Sequence, residues 1–247
     1  MSEAGRSVRV GLATDVGRVR EHNEDAAFAR GSIFVVADGM GGHAAGEVAS
    51  AIAASTLGEL ADRTDLTVDD VVAQLTEANH RIVQSGIANP RTWGMATTLT
   101  GAALVVGEDG GRAWAIVNLG DSRVYRYAAG ALTQVTVDHS EVQEMVNRGY
   151  LTDAEARVHP LRHTVTRSLG RDRVPVADAW VLPVVVGERF VVCSDGLTNE
   201  VLDAQIASLL GEMADVQAAA QALVDAAVAN GGRDNVTVIV VEVEATD

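Results

Sequence analysis

Apolar residues fall into short runs separated by glycine and polar clusters, and the period of these runs changes along the chain. Residues 8–14 and 33–37 read as strands. The second of these, Ile33-Phe34-Val35-Val36-Ala37, is apolar throughout, as expected for a strand covered on both faces. The period then lengthens. Val48, Ile52, Leu57 and Leu60, followed by Val68, Val71, Val72, Leu75, Ile82 and Val83, recur at helical spacing and predict two helices. Strand patterns return at 97–106, 112–119 and 124–137, the last with a turn at Ala129-Gly130. The polar stretch 140–168 predicts mostly helix. Residues 179–186 and 190–193 predict strands, 203–229 a pair of helices, and 236–243 a closing strand.

Strands cluster here without the regular alternation with helices that builds a parallel sheet, so the class is α+β with antiparallel sheets. Fully apolar runs such as Val238-Ile239-Val240-Val241 need cover on both sides. An αββα sandwich, two antiparallel sheets flanked by helices, meets both constraints. No internal repeat, low-complexity segment or Pro/Ser-rich linker interrupts the pattern, which implies a single domain over residues 1–247.

Composition supplies the material for that core, with 47% apolar and 21% charged residues. The start, Met1-Ser2-Glu3-Ala4-Gly5-Arg6, lacks the apolar stretch of a secretory signal, and no run approaches the roughly 20 apolar residues of a membrane span. A cytoplasmic location without membrane attachment is the expectation. One cysteine, Cys193, excludes an intrachain disulfide and a multi-cysteine metal site. The formal charge of −15 argues against nucleic acid as a partner, because phosphate capture needs the opposite sign. Acidity of this size serves solubility, or it counts carboxylates whose cations the formal charge omits.

The positions of the aspartates favour the second explanation for some of them. Asp38 follows the run 33–37 and precedes Gly39. Asp121 follows the run 115–119 and Gly120. Asp195 follows the run 190–193 and precedes Gly196, and Asp234 stands in Gly231-Gly232-Arg233-Asp234-Asn235 before the last strand. A single Asp-Gly pair beside a strand is ordinarily a turn. Recurrence at strand ends, with glycines that let the backbone come close, describes carboxylates held rigidly at an open rim. Carboxylates without companion histidines or cysteines select hard cations, Mg²⁺ or Mn²⁺. An arginine upstream, within Gly17-Arg18-Val19-Arg20-Glu21-His22-Asn23-Glu24-Asp25, offers a planar fork for phosphate oxygens.

Six stretches in order resemble the metal-dependent protein serine/threonine phosphatases of the PPM, or type 2C, family in its bacterial form. They are Arg20-Glu21-His22-Asn23-Glu24-Asp25, Asp38-Gly39-Met40-Gly41-Gly42-His43, Gly94-Met95-Ala96-Thr97-Thr98-Leu99, Gly120-Asp121-Ser122-Arg123, Ser194-Asp195-Gly196-Leu197 and Asp234-Asn235-Val236-Thr237. The resemblance spans nearly the whole chain. It implies two Mn²⁺ or Mg²⁺ ions in a channel at one end of the sandwich, and a third, weaker ion. Asp38 is the implied bridging ligand, Gly39 a ligand through its carbonyl, Asp195 and Asp234 ligands of the other metal, and Asp121 a ligand of the third. Arg20 is the implied phosphate clamp, and Glu24 acts through water. Residues 140–173, rich in arginine, match a mobile flap beside the channel.

Hydrolysis then proceeds by direct attack of water activated between the cations, without a phospho-enzyme. Many eukaryotic members carry a histidine directly after the Asp-Gly pair, where this chain has Met40, so the proton donor to the leaving alkoxide is His43 or a bound water. The implied substrates are phosphorylated proteins, with a Ser/Thr kinase and its targets as partners, and the implied state is a monomer. A catalytically inactive, metal-binding relative is the alternative, and it is disfavoured by the presence of every implied metal aspartate. A dinucleotide fingerprint at 33–44 lacks the second strand that should end in an acid at about 20 residues' distance. A cysteine phosphatase fails because Asn199 stands where its phosphate-binding arginine belongs.

Overall fold

The computed structural model describes residues 6–40 and 45–245. The first half runs β1 (Arg6–Asp15), β2 (Asp25–Arg30), β3 (Ile33–Met40), α1 (Gly46–Gly58), α2 (Val68–Ala88), β4 (Ala96–Thr97), β5 (Leu99–Val106) and β6 (Arg112–Leu119). It continues with β7 (Arg123–Ala128), β8 (Ala131–Gln134), α3 (Glu141–Asn147), α4 (Asp153–Val158) and β9 (Asp178–Pro183). The last part is β10 (Arg189–Cys193), α5 (Asp195–Thr198), α6 (Asp203–Glu212), α7 (Val216–Ala229) and β11 (Val236–Ala245). Two antiparallel sheets result, ordered β1-β11-β10-β7-β8 and β2-β3-β5-β6-β9, with β4 paired to β3.

Side-chain alternation along each strand divides the interior into three layers. On β3, Ile33, Val35 and Ala37 pack under α1 and α2, together with Leu57, Leu75 and Ile82. On β10 and β11, Val191, Cys193, Val238 and Val240 pack under α5, α6 and α7. The opposite parity, Phe34 and Val36 with Trp114 and Ile116, meets Phe190, Val192, Ile239 and Val241 between the sheets. Trp114 centres that layer, its ring 5.9 Å from Phe34 and 5.3 Å from Phe190. This is the αββα sandwich that the apolar runs required.

The helical expectation for 140–168 is corrected: only α3 and α4 are helical there. Gly149 takes φ +75° just after α3. A new capping box at Thr152 and Glu155 then starts α4, which ends at an extended His159. Pro160 disfavours helix in the residue before it. Among the described residues no helix is long and apolar enough to cross a membrane.

Candidate active site

The inter-sheet layer is apolar through its middle and polar at one end, because several strands end there on the same parity. Asp25 precedes Ala27 and Ala29, which face the other sheet, and Asp38 follows Phe34 and Val36 on that face. The same count places Thr98, Ser122, Ser194 and Thr237 on the inward side of their chains. Asp25 and Asp38 stand directly opposite each other in the β2–β3 register.

These polar ends are tied together. Thr98 Oγ1 accepts from the Asp38 N–H at 3.0 Å and lies 2.8 Å from Ser122 Oγ. The Ser194 hydroxyl donates to Asp25 Oδ2 at 2.7 Å, and Ser194 Oγ accepts from the Thr237 N–H at 3.0 Å. Gly39 lets three backbones meet. A Cβ there would lie 2.4 Å from the Gly46 carbonyl and 2.6 Å from the Glu24 carbonyl oxygen, a clash that no side-chain movement relieves.

A cavity of about 1040 Å³ opens above this floor. Arg20, Asp38, Gly39, Asp121, Asp195 and Asp234 all line it, so six of the seven residues proposed from sequence converge on one space. The seventh, His43, lies outside the described residues. Glu24 and Met40 line the same cavity, and so do Arg157, Arg162 and His163 from the segment between β8 and β9. Arg20 reaches in from the rim and donates from Nη2 to Asp234 Oδ2 at 2.8 Å. Asn199 donates to Asp195 Oδ2 at 2.9 Å. Asp25 does not line the cavity but stands opposite Asp38 in the register, a placement the sequence alone does not single out.

The electrostatics describe a cluster short of positive charge. Burial, opposed by the Ser194 and Thr237 hydroxyls and reinforced by Asp195 and Asp234, pushes the Asp25 carboxyl up to about 7. Asp38 keeps part of its surface open to the cavity, yet it lies deep enough that burial, followed by repulsion from Asp25, Asp195, Asp121 and Asp234, raises it well above the usual range. Asp121 is raised by burial first and then by Asp195 and Asp138. Asp25 Oδ1 is buried with no hydrogen-bond partner.

An all-oxygen, mutually repelling donor set with an orphaned carboxylate oxygen fits hard divalent cations. Among the described residues, however, no three His, Cys, Asp or Glu side chains are grouped tightly enough to hold an ion alone.

Residues 17–230 match the protein phosphatase 2C family. The serine/threonine protein phosphatase PstP of Mycobacterium tuberculosis is 39% identical over 241 residues, which cover 96% of this chain but 45% of that protein. The chain thus spans less than half of that relative's length. A serine/threonine phosphatase of Listeria innocua is 35% identical over 93% of both chains. The crystal structure of the Mycobacterium tuberculosis phosphatase superposes with a TM-score of 0.88 at 36% identity, covering 96% of this chain and 99% of that one. A PstP catalytic domain in complex with two manganese ions superposes with a TM-score of 0.86 at 35% identity, covering 97% and 100%.

Proposed function

The chain belongs to the protein phosphatase 2C family, and on that premise we propose that it hydrolyses phosphoserine and phosphothreonine in proteins with two divalent cations, Mn²⁺ or Mg²⁺. The observation that carries this reading is the convergence of strand-end aspartates, Asp38, Asp121, Asp195 and Asp234, around one cavity with Arg20 at its rim. In this account Asp38 serves both cations and the Gly39 carbonyl assists. Asp195 and Asp234 hold one cation of the pair, and Asp121 holds a third, weaker ion. Cations bound there supply Lewis acidity, which acidifies water and offsets phosphoryl charge.

The chain's own residues do the rest. Arg20 leaves Asp234 to hold the phosphoryl oxygens, its planar fork matching them two at a time. The strands fix the carboxylates in place, so little reorganisation is needed as charge develops. His43 or water returns the proton to the departing alkoxide. Cys193 takes no part: it is fully buried on the helix side of β10, and burial pushes its thiol up to about 12. The whole catalytic apparatus belongs to one domain, with the flap at about 140–173 beside the channel. Its substrates are the phosphoproteins made by a Ser/Thr kinase, acted on by a monomer in the cytoplasm.

Phosphopeptide hydrolysis with and without Mn²⁺ tests this. Phosphoserine and phosphothreonine peptides are turned over with metal, phosphotyrosine peptides poorly, and EDTA abolishes all turnover until Mn²⁺ or Mg²⁺ returns. Full activity in chelator contradicts the proposal.

A further inference from the structure

We propose that His139 is a positioning residue that clamps the Gly120 peptide, aiming Asp121 into the channel and fixing it to the neck of the flap. The proposal rests on the reading that Asp121 holds the weaker cation.

Gly120 adopts φ +117°, and a Cβ there would lie 2.5 Å from the Thr98 methyl, so the backbone turns sharply just before Asp121. His139 holds this glycine through both of its backbone polar groups. Its backbone N–H donates to the Gly120 carbonyl at 2.8 Å, and its ring Nδ1 accepts from the Gly120 N–H at 3.2 Å. An accepting Nδ1 places the proton on Nε2, which donates to Asp178 Oδ2 at 3.1 Å on β9. Arg167 Nη1 approaches the same nitrogen, but as a second donor it bonds instead to Asp178 Oδ1 at 2.9 Å. The ring is 5% exposed, and burial lowers its pKa, so it stays neutral and keeps this tautomer.

The same residue closes the flap. The His139 carbonyl accepts from the Thr166 N–H at 2.8 Å, Ser140 bridges to Val165, and the Glu141 N–H donates to the Thr164 carbonyl at 3.0 Å. Both strands of the neck therefore meet at His139, and the flap between them shares one anchor with the Asp121 turn. The Gly120 carbonyl also accepts from Asn118 Nδ2 at 3.1 Å, and any residue at 139 would supply the backbone N–H, so the part that requires histidine is the ring bond to the Gly120 N–H, relayed through Nε2 to Asp178.

The two ring bonds separate by substitution. In His139→Asn the side-chain carbonyl can occupy the Nδ1 position and accept from Gly120, while the reach to Asp178 is lost. In His139→Gln the amide can reach toward Asp178, while the Gly120 acceptor is lost. The first readout is residue-resolved amide exchange in metal-free protein. Gly120 should exchange about tenfold faster in His139→Gln and His139→Ala, the effect of one neutral hydrogen bond, and near the native rate in His139→Asn. The second is calorimetric Mn²⁺ titration, in which the weaker class should lose affinity by about tenfold in the same two variants. The tight pair should be unchanged, and His139→Asn should restore the weaker class. Equal behaviour of His139→Asn and His139→Gln in either readout, or native behaviour of His139→Ala, overturns the proposal. Faster Gly120 exchange without a change in the weaker class overturns the positioning role while leaving the clamp. Absence of any weaker Mn²⁺ class in the unmodified protein refutes the assignment of Asp121 itself, a different failure that the exchange data distinguish.

Discussion

Replacing Asp25 with asparagine should stabilise the metal-free protein at alkaline pH. The carboxyl faces Asp38 across β2 and β3, accepts one bond from Ser194, and leaves Oδ1 without a partner. Burial raises its folded-state pKa from 3.8 to about 7. Between those values the folded protein holds a proton that the unfolded chain has released, so stability falls as pH rises through this window. The contribution is fully present below 3.8 and is lost by about 7. At 1.36 kcal/mol per pH unit over roughly three units, ionised Asp25 costs on the order of 4 kcal/mol in the folded state. Asp38 and Asp121 are raised in the same direction and leave a residual slope in the variant. Urea denaturation in EDTA at pH 5 and pH 8 reads the effect. The unmodified protein should lose stability between the two, and Asp25→Asn should lose less, opening a gap of a few kcal/mol at pH 8. Identical slopes for the two proteins, or stability that rises with pH, would refute the reasoning. The site is then a place where function is kept at the expense of the apo fold.

Arg20→Ala should lower kcat/KM by roughly 10- to 100-fold, the range for one charge-assisted hydrogen bond, with Mn²⁺ affinity little changed in calorimetry. Arg20→Lys should recover only part of it, since an ammonium lacks the fork. Cys193→Ser should keep its phosphopeptide turnover and lose about 1–3 kcal/mol of stability in denaturant melts, because a hydroxyl replaces a thiol in the core under α5–α7. A folded but inactive Cys193→Ser protein contradicts the idle role.

What the sequence made legible follows from where hydrophobic signal was strong. β3 and β11 are β-branched and apolar on both faces, so they and the aspartates beside them stood out. β2 did not. Its residues, Asp25-Ala26-Ala27-Phe28-Ala29-Arg30, carry no β-branched side chain and form an edge paired only with β3. Missing that strand hid Asp25, whose pairing with Asp38 exists only in the register. In helix α1 the predicted Leu57 is fully buried and Val48 and Ile52 pack half-buried against the same core, but the helix is seated chiefly on small residues, Ala49 and Ala53. Small residues there let the helix approach closely: a Cβ on Gly58 would lie 2.6 Å from the Phe28 ring. The polar segment 140–168 is the reverse case, since its charged residues have good helix propensity but are interrupted at Gly149 and Pro160. His139 could not be singled out as a lone histidine. Its role comes from contacts with Gly120 and Asp178, 19 and 39 residues away.

The central claim is that the strand-end aspartates hold the cations, and calorimetric Mn²⁺ titration of four variants tests it most directly. Asp38→Ala should abolish both tight sites together with phosphopeptide turnover. Asp195→Ala and Asp234→Ala should each lose most activity but retain part of the binding, and Asp121→Ala should keep the tight pair while turning over slowly. If Asp38→Ala still binds two cations with unaltered affinity, these carboxylates are strand-end turns and the account is wrong.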